Sequence, residues 1–318
     1  MKKILIGILS IFVFFACSSE NKSNKTAIYP DYKDIVLIDK GDKFEFTDAY
    51  GTKEVVKNPS KVVIFDLGTL DTFEALGLED NVIAVPAKTL PKYLSNFKFK
   101  RNVGSVNEID LETINELQPD LIIISGRQAK YYDKLNQIAP VMYVYPDNKN
   151  FLKFFENKII SIATLYDKKD QAKEEIQAIK TYIDAEKKYI DNTKKALIIM
   201  TNANRISAFG PNSRFGIIHD IFGIAPADTE LKIGLHGNIV NSEYLLEKNP
   251  DYIFVVDRNI IVKNQERAQD FINNPIISKT NAALNDKIIY LDPEYWYLSG
   301  AGLKSFKVMS EEVFKALK

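Results

Sequence analysis

The sequence predicts an α/β protein with two Rossmann-like lobes, each with a mostly parallel sheet, joined by a long helix. A helix–turn–strand unit occurs twice: residues 110–127 read DLETINELQPDLIIISGR, and residues 241–258 read NSEYLLEKNPDYIFVVDR. Residues 151–193, between the two units, contain no Gly or Pro and have apolar residues at helical spacing. Because strands that alternate with helices are typical of parallel sheets, the repeat indicates two similar halves.

The N-terminal residues predict export and membrane attachment. Two lysines precede an apolar stretch, residues 4–15, which is too short to span a membrane and is typical of a signal peptide. The only cysteine of the chain, Cys17, stands at the cleavage point, in a placement that resembles a lipobox. We therefore predict a signal peptide over 1–17 with a lipidated Cys17; cleavage near Ala16 by ordinary signal peptidase is the alternative. The polar residues 18–34 predict a flexible tether.

Residues 35–150 predict the N-terminal lobe. Its predicted elements are a hairpin over 43–56, a strand over 61–66, a short helix over 69–78, a strand over 81–86, the first repeat unit, a helix near 127–137 and a strand over 141–145. Arg127 follows the strand of the first repeat unit. Open α/β sheets hold their ligands at this edge, which makes Arg127 a candidate binding residue.

The segment over 151–193 predicts the connecting helix, either continuous or broken near Tyr166-Asp167. A helical hairpin packed on one lobe is the alternative. Residues 194–318 predict the C-terminal lobe. Its predicted elements are strands over 195–201 and 205–210, a helix near 214–223, the second repeat unit, a helix near 265–274, a strand over 287–292 and a last helix near 302–317.

Composition excludes several classes of function. The 318 residues are enough for two domains with separate cores, and 42 basic residues balance 42 acidic ones, so a nucleic-acid partner is not expected. One cysteine cannot form a disulfide within the chain. With two histidines and no further thiol, a closed tetrahedral zinc site is not expected either.

Three arginines follow strands or hairpins at comparable places. Arg127 and Arg258 end the two repeat units, and Arg214 follows the loop GPNS after a predicted strand. A single arginine in such a position is usually a surface residue. Three of them facing one crevice would form a cationic pocket for a multiply anionic ligand, because planar guanidinium groups bind paired oxygens.

Two further residues could bind a metal. His236 lies between Gly234 and Gly237, which leave its imidazole uncrowded, although a loop histidine without function is the alternative. Tyr297 belongs to a Tyr-Trp-Tyr cluster after the last predicted strand, where the phenols could bind Fe(III), which prefers anionic oxygen ligands. An aromatic plug at the end of the sheet is the alternative. His219, among apolar residues, is expected to be structural.

Segments along nearly all the chain after residue 40 carry a family resemblance. They are NPSKVVIFDLGTLDTFEALGL, PDLIIISGRQAKYYDKL, ISAFGPNSRFGIIHD, NPDYIFVVDRN and IIYLDPEYWYL. The sequence resembles the enterochelin-type substrate-binding lipoproteins of ferric-siderophore ABC transporters. The resemblance implies the class III periplasmic binding protein fold, with two lobes bridged by a helical backbone. It also implies that Arg127, Arg214 and Arg258 surround an Fe(III)-catecholate siderophore, with His236 and Tyr297 as iron ligands when the siderophore leaves coordination sites open.

The same resemblance implies capture and delivery, with no permanently bound cofactor. A monomer, attached by its lipid in the periplasm or on the outer face of the cell membrane, would pass the ferric siderophore to the permease and ATPase of an ABC transporter. Asp71 or Glu74, and Asp220, are candidates for docking onto the permease; solvated helix carboxylates are the alternative. A haem or corrinoid carrier of the same fold is a competing interpretation. An enzyme that processes metal chelates is another, but no Ser/His/Asp or paired-carboxylate signature is present.

Overall fold

The structure is a computed structural model that describes residue 30, residues 32–263 and residues 267–318. The predicted signal peptide, Cys17 and most of the predicted tether lie outside the described residues. None of the described helices has the length and apolar character needed to cross a membrane.

A small antiparallel sheet opens the described chain. Its three strands are β1 (Val36–Asp39), β2 (Lys43–Asp48) and β3 (Gly51–Val56). β2 and β3 form the predicted hairpin, with Asp48 opposite Gly51 at the turn. Gly51 has a φ of 100°, a conformation that glycine adopts without steric cost.

The N-terminal lobe is built on a five-stranded parallel sheet with the order β6-β5-β4-β7-β8. Its elements are β4 (Val62–Ile64), α1 (Leu67–Ala75), β5 (Val82–Val85), β6 (Arg101–Asn102), α2 (Leu111–Leu117), β7 (Leu121–Ile124), α3 (Tyr132–Asn136) and β8 (Val141–Tyr143). All residues of β4, β7 and β8 are buried, as expected for parallel strands that are covered on both faces.

The segment between the lobes, predicted over 151–193 as a connecting helix that is continuous or broken near Tyr166-Asp167, is broken. It forms two helices, α4 (Phe151–Leu165) and α5 (Lys169–Lys187), and the chain reverses between them at Asp167, whose φ is 56°. Lys180 on α5 forms an ion pair of 2.8 Å with Glu156 on α4. In one continuous helix those residues would lie about 36 Å apart, so the two helices are antiparallel. The expected break at Tyr166-Asp167 is where the reversal occurs.

The C-terminal lobe has a six-stranded mixed sheet. Its elements are β9 (Lys195–Asn202), β10 (Arg205–Phe209), α6 (Ile217–Asp220), β11 (Ala225–Pro226), β12 (Asn238–Val240), α7 (Ser242–Lys248), β13 (Tyr252–Asp257), α8 (Arg258–Ile261), α9 (Ala268–Ile272), α10 (Asn281–Leu284), β14 (Ile288–Leu291) and α11 (Leu303–Leu317). The order is β12-β10-β9-β13-β14, with β11 beside the start of β9. β9, β13 and β14 are parallel, whereas β10 and β12 run antiparallel to their neighbours.

The sequence repeat corresponds to equivalent units, α2–β7 in one lobe and α7–β13 in the other. The aspartate of each Pro-Asp pair ties its strand to the neighbouring parallel strand. Asp120 Oδ2 accepts the backbone N–H of Lys61 at 2.9 Å, just before β4. Asp251 Oδ2 accepts the backbone N–H of Lys195 at 2.9 Å, at the start of β9. The repeated Asp therefore has a structural role that is the same in both halves.

One hydrophobic core extends through both lobes. The last helix, α11, packs on α1 of the N-terminal lobe and on α5. Buried residues from both halves belong to the same cluster, among them Ile64, Phe73, Phe155, Ile198, Phe254 and Phe306. Two smaller clusters lie on the outer faces of the two large sheets. The lobes are therefore joined by continuous apolar packing as well as by the chain.

Candidate ligand-binding site

Arg127 reaches from the N-terminal lobe to the last segment of the C-terminal lobe. It lies in a 3-10 helix, Gly126–Tyr131, that directly follows β7. The side chain of Gln128 accepts the backbone N–H of Ser125 at 3.1 Å, which fixes the start of this helix. The guanidinium donates to the backbone oxygen of Tyr297 at 2.8 Å. Arg127 therefore bridges the two lobes at the carboxyl edge of the first parallel sheet.

Arg214 converges on the same backbone oxygen. Its guanidinium donates to Tyr297 O at 2.6 Å, and its central carbon lies 4.4 Å from the centre of the Tyr297 ring. Burial, followed by the positive charge of Arg127, lowers the pKa of Arg214 to about 10. The group stays protonated at neutral pH, but two guanidinium groups held together favour an anionic partner.

Arg258 completes the cluster. It begins α8 immediately after β13, and its Nε donates to the Tyr297 hydroxyl oxygen at 2.7 Å. A second nitrogen donates to the side-chain oxygen of Asn202, at the end of β9. All three predicted arginines therefore meet at one residue, with guanidinium carbons 5.3, 4.4 and 5.6 Å from the Tyr297 ring centre for Arg127, Arg214 and Arg258.

The surroundings of Tyr297 favour the ionised form of its phenol. It lies half-buried in a π-helical turn, Glu294–Ser299, between β14 and α11. Burial alone would raise the pKa of its phenol. The hydrogen bond from Arg258 and the charges of all three arginines outweigh burial, so the pKa is lowered on balance. A phenolate is the form of tyrosine that binds Fe(III).

His236 lies apart from this cluster. It is exposed in the loop before β12, and within 32–263 and 267–318 no hydrogen bond or ring contact joins it to Tyr297 or the arginines. One end of its loop packs closely on β10, because a Cβ on Gly237 would lie only 2.7 Å from Ala208 O. No group of three or more His, Cys, Asp and Glu residues that could hold a metal occurs among the described residues. His219 Nδ1 lies 2.8 Å from Ile224 O, in keeping with a structural role.

The three candidate docking carboxylates differ in exposure. Asp71 is fully buried, so it cannot contact a permease and its predicted docking role is wrong; burial raises its pKa to about 6. Glu74 is half-buried and forms a 2.9 Å ion pair with Lys304. Asp220 is exposed and accepts the backbone N–H of Asn212 at 2.7 Å.

Sequence reasoning missed Tyr145 and Asn202, which also line this region. Tyr145 is half-buried beyond β8, and its ring stacks on Tyr143 with centroids 6.0 Å apart. The ring packs so closely on Gly126 that a Cβ there would lie 2.5 Å from it. Tyr145 also acts electrostatically on Arg214. Both missed residues follow or end strands at the carboxyl edge, and the edge rule that selected Arg127 could have found them.

The fold and the chain's relatives define its class. A family model described as periplasmic binding protein matches residues 62–295, and the chain belongs to this family. The predicted fold class is thereby confirmed, as is the prediction of a substrate-binding protein and not an enzyme.

Several relatives are named for the iron complexes that they bind. The petrobactin-binding protein YclQ of Bacillus subtilis is 41% identical over 98% of each chain, and its crystal structure superposes with a TM-score of 0.83 over 90% of this chain and 99% of that one. The ferric-anguibactin-binding protein FatB of Vibrio anguillarum is 25% identical over 83% of this chain and 84% of its own. The structure of the catecholate-siderophore binding protein VctP of Vibrio cholerae is 26% identical, with a TM-score of 0.76 over 89% of this chain and 99% of that one.

Proposed function

We propose that this protein binds a ferric siderophore of the catecholate type between its lobes and delivers it to an ABC permease for iron uptake. The observation that carries the proposal is the convergence of Arg127, Arg214 and Arg258 on Tyr297. The cluster draws on both lobes and lies at the carboxyl edges of their sheets. The names of the relatives YclQ, FatB and VctP point to the same class of ligand.

Charge favours a strongly anionic ligand. A ferric tris-catecholate is a trianion, and three guanidinium groups can neutralise it. The carbonyl oxygen of Tyr297, which now accepts from Arg127 and Arg214, is a neutral acceptor. Hydrogen bonds to an ionised oxygen are roughly twice as strong as neutral ones, so the arginines gain by turning to the ligand. A haem or corrinoid carrier would need a mainly apolar wall, which three arginines do not provide.

Direct iron ligation applies to siderophores with too few donors. A tetradentate bis-catecholate leaves two of the six iron positions open. The Tyr297 phenol, whose pKa is lowered, would fill one, and the His236 imidazole would fill the other. Since His236 is exposed in the loop before β12, this loop would have to move onto the iron when the ligand binds.

Anchoring and docking complete the proposal. Lipidation at Cys17 would hold a monomer in the periplasm or on the outer face of the cell membrane. Glu74 on the N-terminal lobe and Asp220 on the C-terminal lobe would dock onto arginines of the permease, which works with its ATPase. In this proposal the protein captures and delivers the ligand without changing it chemically.

The test compares tetradentate and hexadentate ferric catecholates. Trp296, which precedes Tyr297, is buried. Its fluorescence should be quenched when the iron complex binds, and this quenching measures binding. We expect His236→Ala and Tyr297→Phe each to weaken the tetradentate complex at least about tenfold, the order of effect that metal-site residues have. The hexadentate complex should bind within about twofold of wild type, because its iron needs no protein ligand.

The control is Tyr182→Phe, a tyrosine on α5 whose ring meets Phe314 edge-on, 6.0 Å away. It should bind both complexes normally. Equal losses for the two complexes in Tyr297→Phe would contradict direct ligation, and absence of binding of either complex to wild type would refute the proposed function.

A further inference from the structure

The π-helical turn that carries Tyr297 is held from two sides. On the cleft side, Arg127 and Arg214 donate to Tyr297 O. On the opposite side, the hydroxyl of Tyr93, from the N-terminal lobe, donates to Ser299 Oγ at 2.5 Å. Ser299 Oγ in turn donates to the backbone oxygen of Glu294 at 3.2 Å. Ser299 thus closes the turn on itself and links it to the other lobe.

The second attachment is continuous with the packing of α1 against α11. The Tyr93 hydroxyl lies 3.3 Å from Asp71 Oδ2, and this oxygen accepts the backbone N–H of Ser305 at 3.0 Å. The other oxygen of Asp71 accepts from Lys304 N at 3.3 Å. A buried carboxylate of one lobe therefore caps the first turn of the last helix of the other lobe. Without this carboxylate the N–H groups of Lys304 and Ser305 would lack these acceptors.

The two attachments respond differently to a bound ligand. An anionic siderophore competes for the guanidinium groups of Arg127 and Arg214, and charged acceptors are the stronger partners. Each bond that moves to the ligand is lost to Tyr297 O. The bonds of Tyr93 to Ser299 and of Asp71 to α11 involve no group that the ligand needs. They would therefore remain in place when the arginines turn to a ligand.

We propose that Tyr93 is a positioning residue, which through Ser299 keeps the Tyr297 phenol aimed at the iron once the arginines have turned to the ligand. This inference rests on the proposed binding of ferric catecholates. Tyr93 acts through its hydrogen bond to Ser299 and is not itself an iron ligand in this proposal. Its ring is stacked on Tyr295 with centroids 4.3 Å apart, and this stacking holds its hydroxyl toward Ser299.

The experiment removes one hydroxyl at a time. Tyr93→Phe keeps the ring stack and loses the donor; Ser299→Ala removes the acceptor and serves as the second variant if the first folds poorly. The matched control is Tyr166→Phe, which removes a buried hydroxyl just after α4 that donates to Pro59 O, before β4, at 2.9 Å. All are titrated with tetradentate and hexadentate ferric catecholates. Resonance Raman spectra of protein with ring-deuterated tyrosine identify the iron–phenolate bands.

We expect Tyr93→Phe and Ser299→Ala to weaken the tetradentate complex about fivefold, the change that one neutral hydrogen bond supports. Their iron–phenolate bands should weaken or shift, and hexadentate binding should stay within about twofold of wild type. Tyr166→Phe should melt at a lower temperature but keep both affinities and the bands. Wild-type affinities and bands in both test variants would overturn the inference, as would the same selective loss in Tyr166→Phe. Absence of any binding to wild type would overturn the proposed function and this inference with it.

Discussion

At the scale of single residues, Tyr297 is the point where burial and positive charge oppose each other. Burial favours the neutral phenol, and three arginines favour the phenolate. Burial is the largest influence, and among the groups that lower the pKa the hydrogen bond from Arg258 to the phenol oxygen comes first, followed by the charges of Arg127, Arg214 and Arg258. The balance lowers the pKa of the Tyr297 phenol below that of an ordinary tyrosine, so less free energy is needed to remove its proton.

This balance predicts the outcome of an ultraviolet tyrosinate titration. In the wild-type protein one tyrosine should ionise at a lower pH than the others. This titration should be missing in the Tyr297→Phe variant. Arg258→Gln should raise the pKa of that phenol, because the change removes both a hydrogen bond to the phenol oxygen and a nearby positive charge. The control is Arg205→Gln, which removes an exposed arginine from the start of β10. An unchanged titration in Arg258→Gln would show that Arg258 does not lower the pKa.

At the scale of elements, the contact of α1 with α11 depends on two glycines. A Cβ on Gly68 would lie 2.8 Å from Ser299 O, and one on Gly302 would lie 1.8 Å from Asp71 Oδ1. No side chain fits at Gly302 unless both the capping carboxylate and the backbone of Gly68 move, because the added Cβ would also lie 2.2 Å from Gly68 O. The first helix and the last helix are therefore as close as their backbones allow.

A glycine pair tests this contact. Gly302→Ala should lower the free energy of unfolding by roughly 1–3 kcal/mol, the cost typical of forcing a group into a packed region. Gly234→Ala is the control, because no atom lies within 4 Å of the position of its Cβ and its φ is not in the left-handed region. It should stay within about 0.5 kcal/mol of wild type. Urea unfolding measures both, and equal effects of the two changes would contradict the close approach.

The elements also show what sequence patterns could and could not predict. The repeat predicted α2–β7 and α7–β13, and with them Arg127 and Arg258, because helix and strand periodicities are local. The reversal at Asp167 interrupts an apolar pattern that continues on both sides without Gly or Pro, so the sequence could not decide between a continuous helix, a broken one and a helical hairpin. Asp71 was placed on an exposed face of α1 because the helix that buries it, α11, comes from the other end of the chain. The role of Tyr93 was not predicted, because its partner Ser299 also comes from the other end of the chain.

At the scale of the whole molecule, α11 makes the two lobes one packing unit. The Phe306 ring on this helix lies 4.8 Å from the Phe155 ring in α4 and 6.1 Å from the Phe222 ring in the C-terminal lobe. The main core contains residues of both lobes. The halves should therefore lose their structure together.

This packing predicts one cooperative unfolding transition in urea. The fluorescence of Trp296 and far-ultraviolet circular dichroism should give the same midpoint. Phe306→Ala should lower the free energy of unfolding by about 3–5 kcal/mol, whereas Phe99→Ala should change it little, since Phe99 is 85% exposed. Two separated transitions in wild type would show that the lobes unfold independently.

The π-helical turn at Glu294–Ser299 also has a consequence for how this site can evolve. Gly300 N donates to Tyr295 O at 2.7 Å, five residues back, where an α-helix would bond four residues back. The turn thus contains one residue more than an α-helical turn. Deleting one residue before Tyr297 would rotate its side chain by about 100° about the helix axis, away from the arginines. Among natural homologues, a one-residue gap at this turn would therefore mark proteins whose tyrosine no longer faces the arginines.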